Sequence, residues 1–82
     1  METRKLIVDI ETTALPATKV WMVGTMDLRT GEVRNFLSPF NTQDIKDIQT
    51  CLSTYDEIIG HNFIDFDKPN MERLLGISFV GI

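Results

Sequence analysis

The stretch that most constrains the fold is an apolar run near the start of the chain that also carries two carboxylates. Residues 5–11 read Lys-Leu-Ile-Val-Asp-Ile-Glu, a composition typical of a strand buried on both faces in the middle of a sheet. Asp9 and Glu11 are two residues apart, so they point to the same face, about 6.5 Å apart along the backbone. A divalent metal would compensate the cost of placing two acids there. A strand end turned towards solvent is the alternative.

A loop over residues 12–18 separates this first strand from a predicted hairpin. Residues 19–28 and 32–38 are its two strands, because β-branched and other apolar side chains are interspersed with polar ones in both. The turn between them is Arg29-Thr30-Gly31.

Two helices and a fourth strand follow the hairpin. Asn41 or Thr42 is placed to cap the first helix, whose apolar positions have helical spacing: Ile45, Ile48, Cys51 and Leu52. Residues 55–60 form the fourth strand. Pro69 suits the first turn of the second helix, and Gly76 ends it. Its apolar face consists of Met71, Leu74 and Leu75.

The order strand, strand, strand, helix, strand, helix predicts an α/β layered sheet in a single domain over residues 1–82. A three-stranded meander is followed by a crossover, and the simplest crossover returns the fourth strand parallel to the first. The fourth strand is then a neighbour of the strand that carries Asp9 and Glu11.

Composition excludes several classes of site. Cys51 and His61 are the only cysteine and histidine, so neither an internal disulfide nor a Cys/His zinc site can form within one chain, and any metal must be held by oxygen. The net charge of −4 has the wrong sign for a protein that binds nucleic acid by electrostatics alone. No apolar run is long enough for a membrane span or a secretory signal, and we therefore expect a cytoplasmic protein.

A further acid stands between the fourth strand and the second helix. Residues 60–69 read Gly-His-Asn-Phe-Ile-Asp-Phe-Asp-Lys-Pro. An acid at this place lies at the carboxyl end of one strand, next to the acids of the first strand if the two strands are neighbours. Three carboxylates then converge.

These two segments resemble the motifs of the DnaQ-like, or DEDD, 3′–5′ exonucleases. Residues 8–12, Val-Asp-Ile-Glu-Thr, look like the first motif, and His61-Asn62 through Asp67 and on to Leu74 looks like the second. The nearest likeness is to the proofreading domain of phage-type family-A DNA polymerases. The resemblance implies a ribonuclease-H-like fold and a Mg²⁺- or Mn²⁺-dependent hydrolase of DNA 3′ ends, working in a bacterium or a phage-infected cell.

The resemblance also assigns roles to single residues. It makes Asp9 the carboxylate that bridges two metals, Glu11 a ligand of one of them and Asp67 a ligand of the other. Asp65 competes for that last role, but the spacing from Asn62 favours Asp67.

Substrate contacts follow from the same resemblance. It implies that Thr12 contacts the terminal nucleotide through its backbone, that Leu15 lies against the base, and that Asn62 orients the site or the substrate strand. The partner is then the 3′ end of single-stranded DNA.

The third motif of the family, Tyr or His followed by Asp, is missing after Pro69, where Glu72 is the last acid. We therefore expect an incomplete, partial exonuclease-like domain whose fourth strand is an apolar sheet edge. The tail from Ile77, a second copy, or the remainder of a polymerase or exonuclease chain are candidates to pair there. A non-catalytic binding or regulatory protein with this fold is the alternative function.

The remaining notable side chains are interpreted as structural. His61 is expected to be a hydrogen-bonded structural histidine, and Cys51 a small buried apolar residue of the first helix. Most of the large aromatic side chains are expected in the core: Trp21, Phe36, Phe63, Phe66 and Phe79.

Overall fold

The computed structural model of the chain describes residues 3–13 and 18–79. Four strands form one mixed sheet: β1 (Lys5–Thr12), β2 (Val20–Asp27), β3 (Val33–Leu37) and β4 (Glu57–Ile59). Their order is β3-β2-β1-β4; β1 runs antiparallel to β2 and parallel to β4. The predicted meander with a parallel fourth strand is confirmed.

The hairpin turn is held by the last residue of β2. The carboxylate of Asp27 accepts hydrogen bonds from the backbone N–H groups of Arg29 and Thr30 at 2.9 and 3.0 Å. Gly31 has a φ of 76°, a conformation that costs other residues more than glycine, and its N–H donates to the carbonyl of Asp27 at 2.8 Å. This turn fixes the pairing of β2 with β3.

The first helix, α1 (Thr42–Thr54), begins at the predicted cap. The side chain of Asn41 accepts from the backbone N–H of Asp44 at 2.7 Å, and the side chain of Asp44 accepts from that of Asn41 at 3.0 Å. This reciprocal capping satisfies two N–H groups that a helix start otherwise leaves without partners.

The second helix, α2 (Lys68–Leu75), ends at Gly76 as predicted, with a φ of 68° at that glycine. Pro69 lies in its first turn, also as predicted. Residues Phe63–Asp67 form a π-helical turn that leads directly into α2. Its wider hydrogen bond runs from the Lys68 N–H to the Phe63 carbonyl. Such turns are rare in proteins, and those that occur are frequently at functional sites.

Both helices pack on one face of the sheet. The buried side chains of β1 are the even-numbered Leu6, Val8 and Ile10, which join Ile48, Leu52 and Met71 of the helices in one apolar core. On the other face, Asp9 and Glu11 are exposed. The alternation along β1 therefore sends its apolar residues to the core and its acids to the surface.

Most of the large aromatic side chains lie in or against the core, as expected, and Trp21 is the exception. Trp21 is 49% exposed and does not belong to the core, although Phe36 and Phe79 are buried and Phe63 and Phe66 pack against it. His61 is exposed, and its role as a hydrogen-bonded structural histidine stays a prediction. Cys51 is half-buried against the core, close to the prediction.

Among the described residues β4 is an edge strand, paired with β1 alone. Ile59 of this strand is 37% exposed. Ile77 and Phe79 from the tail are buried in the core, so this part of the tail packs against the helical side of the sheet. In the described part of the chain no helix has the length and apolar character needed to cross a membrane.

Candidate functional site

The candidate site lies at the carboxyl end of β1, beyond the point where its partner strand stops. The last residue pair between β1 and β4 is Ile7 with Ile59, so Asp9 and Glu11 extend past the end of β4. The chain then turns closely against β1 at Gly60: a Cβ at this glycine would lie 2.8 Å from the Val8 carbonyl oxygen. Only glycine allows so close an approach without a shift of the backbone.

The π-helical turn carries the second acidic segment over this end of β1. It begins at Asn62, which adopts a left-handed conformation with a φ of 56°, and the Phe66 N–H donates to the Asn62 carbonyl at 3.0 Å. Asn tolerates this conformation better than most residues. Asn62 itself is exposed, beside the turn that it starts.

Asp67 is the most unusual side chain of this segment. It is 3% exposed, and its Oδ2 is buried without a hydrogen-bond partner among the described residues. Burial, and to a smaller extent the negative charge of Asp9, raise the pKa of Asp67 from 3.8 to about 6. The backbone N–H of Ile10 and the charge of His61 act in the opposite direction.

The electrostatic interaction between Asp9 and Asp67 links the two predicted acidic segments. Because the charge of Asp9 contributes to the raised pKa of Asp67, the two carboxylates are close enough to interact electrostatically. Asp65, the competing acid, is exposed. Of the two acids in the turn, Asp67 is therefore the one that meets β1.

A second layer of polar contacts supports the turn, and it was not predicted from the sequence. The Asn70 side-chain amide donates to the Phe66 carbonyl at 2.9 Å, and the Arg73 guanidinium donates to the Asn70 Oδ1 at 2.8 Å. Asn70 is itself buried. The only sequence signal is the spacing, since residues three and four apart share one side of a helix.

The remaining predicted site residues are Thr12, Glu11 and Leu15. Thr12 is half-buried at the end of β1, and its hydroxyl donates to the Thr13 carbonyl at 3.0 Å. Glu11 is exposed on the same face of β1 as Asp9. Leu15 lies outside the described residues.

A divalent metal fits this donor set in part. The unpartnered Asp67 Oδ2 and the neighbouring Asp9 supply the carboxylate oxygens that Mg²⁺ prefers, and a cation would relieve the repulsion between them. Within residues 3–13 and 18–79, however, no three side chains of His, Cys, Asp or Glu are grouped to hold a metal ion. Asp9 and Asp67 interact electrostatically, and the metal centre of Asp9, Glu11 and Asp67 stays a prediction.

Comparison with known proteins agrees with the topology of the sheet. A family model described as the RNase_H superfamily matches residues 6–80. The chain belongs to the RNase H superfamily. No curated protein and no solved structure matches it. Its membership fits the mixed sheet in the order β3-β2-β1-β4, and nucleases with a divalent metal at carboxylates are usual in the RNase H superfamily.

Proposed function

We propose that this chain is part of a Mg²⁺- or Mn²⁺-dependent 3′–5′ exonuclease of the DEDD type, which acts on single-stranded DNA 3′ ends as a proofreading module of a DNA polymerase. The observation that carries the proposal is the buried Asp67 carboxylate, with an unpartnered Oδ2 and a pKa raised by burial and by Asp9. Acids held together at a cost to the folded state are typical of functional sites.

Within this proposal, Asp9, Glu11 and Asp67 hold the metals. Divalent ions held by these residues would activate a water and stabilise the leaving 3′-oxygen of a phosphodiester. Burial keeps water away from the inner oxygen of Asp67, and the N–H of Ile10 orients its carboxylate. Bound cations also attract the phosphates that a chain of net charge −4 repels.

The substrate strand lies, in this proposal, along the residues that follow the two acidic segments. Thr12 and Leu15 hold the terminal nucleotide, and Asn62 orients the strand. The exposed side chain of Asn62 supports that role. Its left-handed backbone also links the end of β4 to the turn that bears Asp67.

Thermal unfolding in the presence of Mn²⁺ tests the metal site directly. We expect the Tm of the unmodified protein to rise with Mn²⁺, by an amount equivalent to about 2.7 kcal/mol at a concentration one hundred times Kd. Asp9→Ala should abolish the rise, whereas Asp65→Ala, which alters an exposed acid of the same turn, should keep it. Equal Mn²⁺ responses of Asp9→Ala and the unmodified protein would contradict the proposal.

One observation favours a second candidate, a non-catalytic protein that keeps the fold and binds or regulates a partner. Among the described residues no three acids group around a metal position. Under this alternative, Asp9→Ala preserves or raises the Tm without any dependence on Mn²⁺, because it only relieves the repulsion with Asp67.

We also propose that a further strand pairs with the open edge of β4. Exposed Ile59 on this strand and exposed Ile64 on the adjacent turn support this, since an apolar strand edge favours pairing. The source is a second copy or the remainder of an exonuclease chain. If a second copy supplies the strand, the chain alone forms a dimer in size-exclusion chromatography. If the remainder of an exonuclease chain supplies it, the chain alone is a monomer, and mixing the two restores hydrolysis of single-stranded DNA.

A further inference from the structure

An exposed tryptophan stands next to the candidate site. Trp21 is 49% exposed, is the only tryptophan of the chain, and has the Lys19 ammonium 4.0 Å from its ring centroid. Within residues 3–13 and 18–79, three other cations lie over aromatic rings, those of Tyr55, Phe36 and Phe79.

The ring of Trp21 differs from those three rings in its exposure. Phe36 and Phe79 are buried. Tyr55 is half-buried, and its hydroxyl donates a hydrogen bond to Asp27. Of these four pairs, the one at Trp21 alone presents its ring to solvent. Core packing therefore does not account for this aromatic side chain.

The register of the sheet places Trp21 beside the end of β1. Glu11 pairs with Met22 and Thr12 pairs with Val20, so Trp21 is the extra residue of β2 at a bulge. Bulges of this kind redirect a side chain, often next to active sites. Adjacent strands are about 4.8 Å apart, which puts the Trp21 backbone one strand spacing from the residues that follow Asp9.

Backbone hydrogen bonds fix both members of the pair at this place. The Thr13 N–H donates to the Lys19 carbonyl at 3.0 Å, and the Ser38 N–H donates to the Trp21 carbonyl at 2.9 Å. Trp21 in β2 and Lys19 just before it are thus both held by paired backbone, and Lys19 pairs with Thr13, the residue after β1.

We propose that Trp21 and Lys19 form a contact site for single-stranded nucleic acid, in which the indole stacks on a base and the ammonium group binds a phosphate. An aromatic face with a neighbouring cation is the usual way to bind a single strand without reading its sequence. The inference rests on the proposed function, because it adds a substrate contact to the same site.

The single tryptophan makes the contact directly observable. Titration of the protein with oligothymidylate, in Ca²⁺ buffer, should quench the fluorescence of Trp21 as a base stacks on it. Trp21→Ala should weaken binding of the oligonucleotide roughly 5- to 100-fold, the range typical of one lost stacked base. Trp21→Phe should restore most of the affinity, because it keeps an aromatic face.

The charge of Lys19 has its own readout. Lys19→Gln should lower the slope of log Kd against log salt by about 0.7, the value for one phosphate contact to a single strand. Lys46→Gln, which removes an exposed charge on α1, should leave the slope unchanged. Leu28→Ala is the matched control for Trp21, since Leu28 is also 49% exposed but follows the opposite end of β2.

The outcomes separate this inference from the proposed function. If the oligonucleotide binds with no change in emission and with equal affinity for Trp21→Ala and Leu28→Ala, the contact site is wrong and the proposed function stands. If the unmodified protein binds no oligonucleotide at all, both are overturned. Measured Tm values of each variant show that a loss of affinity is not a loss of folding.

Discussion

Two buried aspartates at opposite ends of the sheet have opposite surroundings. Asp27 is 8% exposed, and its carboxylate accepts hydrogen bonds from the N–H groups of Arg29 and Thr30 and from the Tyr55 hydroxyl. The Thr30 N–H is the largest cause that holds the pKa of Asp27 below its usual value. Asp67 is more buried, has an unpartnered oxygen, and has a raised pKa.

The difference shows what each carboxylate does in the molecule. The charge of Asp27 is fully used by the fold: its hydrogen bonds hold the hairpin turn, and Arg4 lies 3.8 Å away. The charge of Asp67 is opposed by the fold, because burial and Asp9 both disfavour it. A buried acid whose charge the fold disfavours is typical of a functional site, which supports the proposed metal site.

The largest expected change in stability follows substitution of Asp27, whose carboxylate accepts three hydrogen bonds. Asp27→Asn replaces a charged acceptor with a neutral amide and weakens its bonds to Thr30, Arg29 and Tyr55. Hydrogen bonds to a charged acceptor contribute more to stability than those to a neutral one, and Asp27 accepts three of them. We expect a fall in Tm of roughly 15 °C in metal-free buffer, measured by circular dichroism. An unchanged Tm would show that the contacts of Asp27 do not support the turn.

Substitution of Asp67, the acid with an unpartnered oxygen, is expected to raise stability instead of lowering it. Asp67→Asn removes the buried charge and its repulsion with Asp9, so the variant should be more stable than the unmodified protein by about 2 kcal/mol at pH 7 without metal. Chemical denaturation measures this difference. Asp65→Asn, an exposed acid of the same turn, is the control and should change stability by less than about 0.5 kcal/mol. A destabilised Asp67→Asn would contradict the comparison.

The two acids should also divide the pH dependence of stability between them. The pKa of Asp67 is raised to about 6 in the folded state, so its favourable contribution is complete below pH 3.8 and is lost as the pH rises through 6. The advantage of Asp67→Asn should therefore grow from about pH 4 to pH 7.

Asp27 should behave in the reverse way. Its pKa is lowered on folding, so its contribution is present above its usual pKa and is lost as the pH falls. The defect of Asp27→Asn should therefore shrink in acid and stay constant between pH 5 and 7. Denaturation curves of the three proteins from pH 3 to 7 measure both trends, and parallel pH profiles for the two variants would refute the assignment.

Local pattern accounts for most of the fold. The apolar run at Leu6–Ile10, the turn at Gly31, the cap at Asn41 and the helix end at Gly76 each have a local chemical reason, and the structure confirms all four. The parallel pairing of β4 with β1 followed from topology alone. These features depend on residues that are close in sequence or on general rules of connection.

The site depended on longer-range effects that local pattern does not contain. The π-helical turn over Phe63–Asp67 combines a left-handed Asn62 with support from Asn70, and its alternation of apolar and acidic residues gives no helical period. The exposure of Trp21 results from a bulge, whose position depends on the register with β1. Asp67 and Asp9 look alike in sequence, and tertiary packing alone buries one and exposes the other.

The smallest expected change in stability follows removal of one of the hydrogen bonds that Asp27 accepts. Tyr55→Phe removes the hydroxyl that donates to Asp27 Oδ2 at 2.8 Å and keeps the ring beneath the Arg4 guanidinium, 4.7 Å from its centroid. Because the two backbone donors of the turn remain, we expect a fall in Tm of about 4 °C, well below that of Asp27→Asn. The pKa of Asp27 should rise, since this hydrogen bond is the second cause that lowers it. NMR titration of the Asp27 carboxyl group measures the shift, and a pKa that does not move would mean that the backbone turn alone sets the charge of this acid.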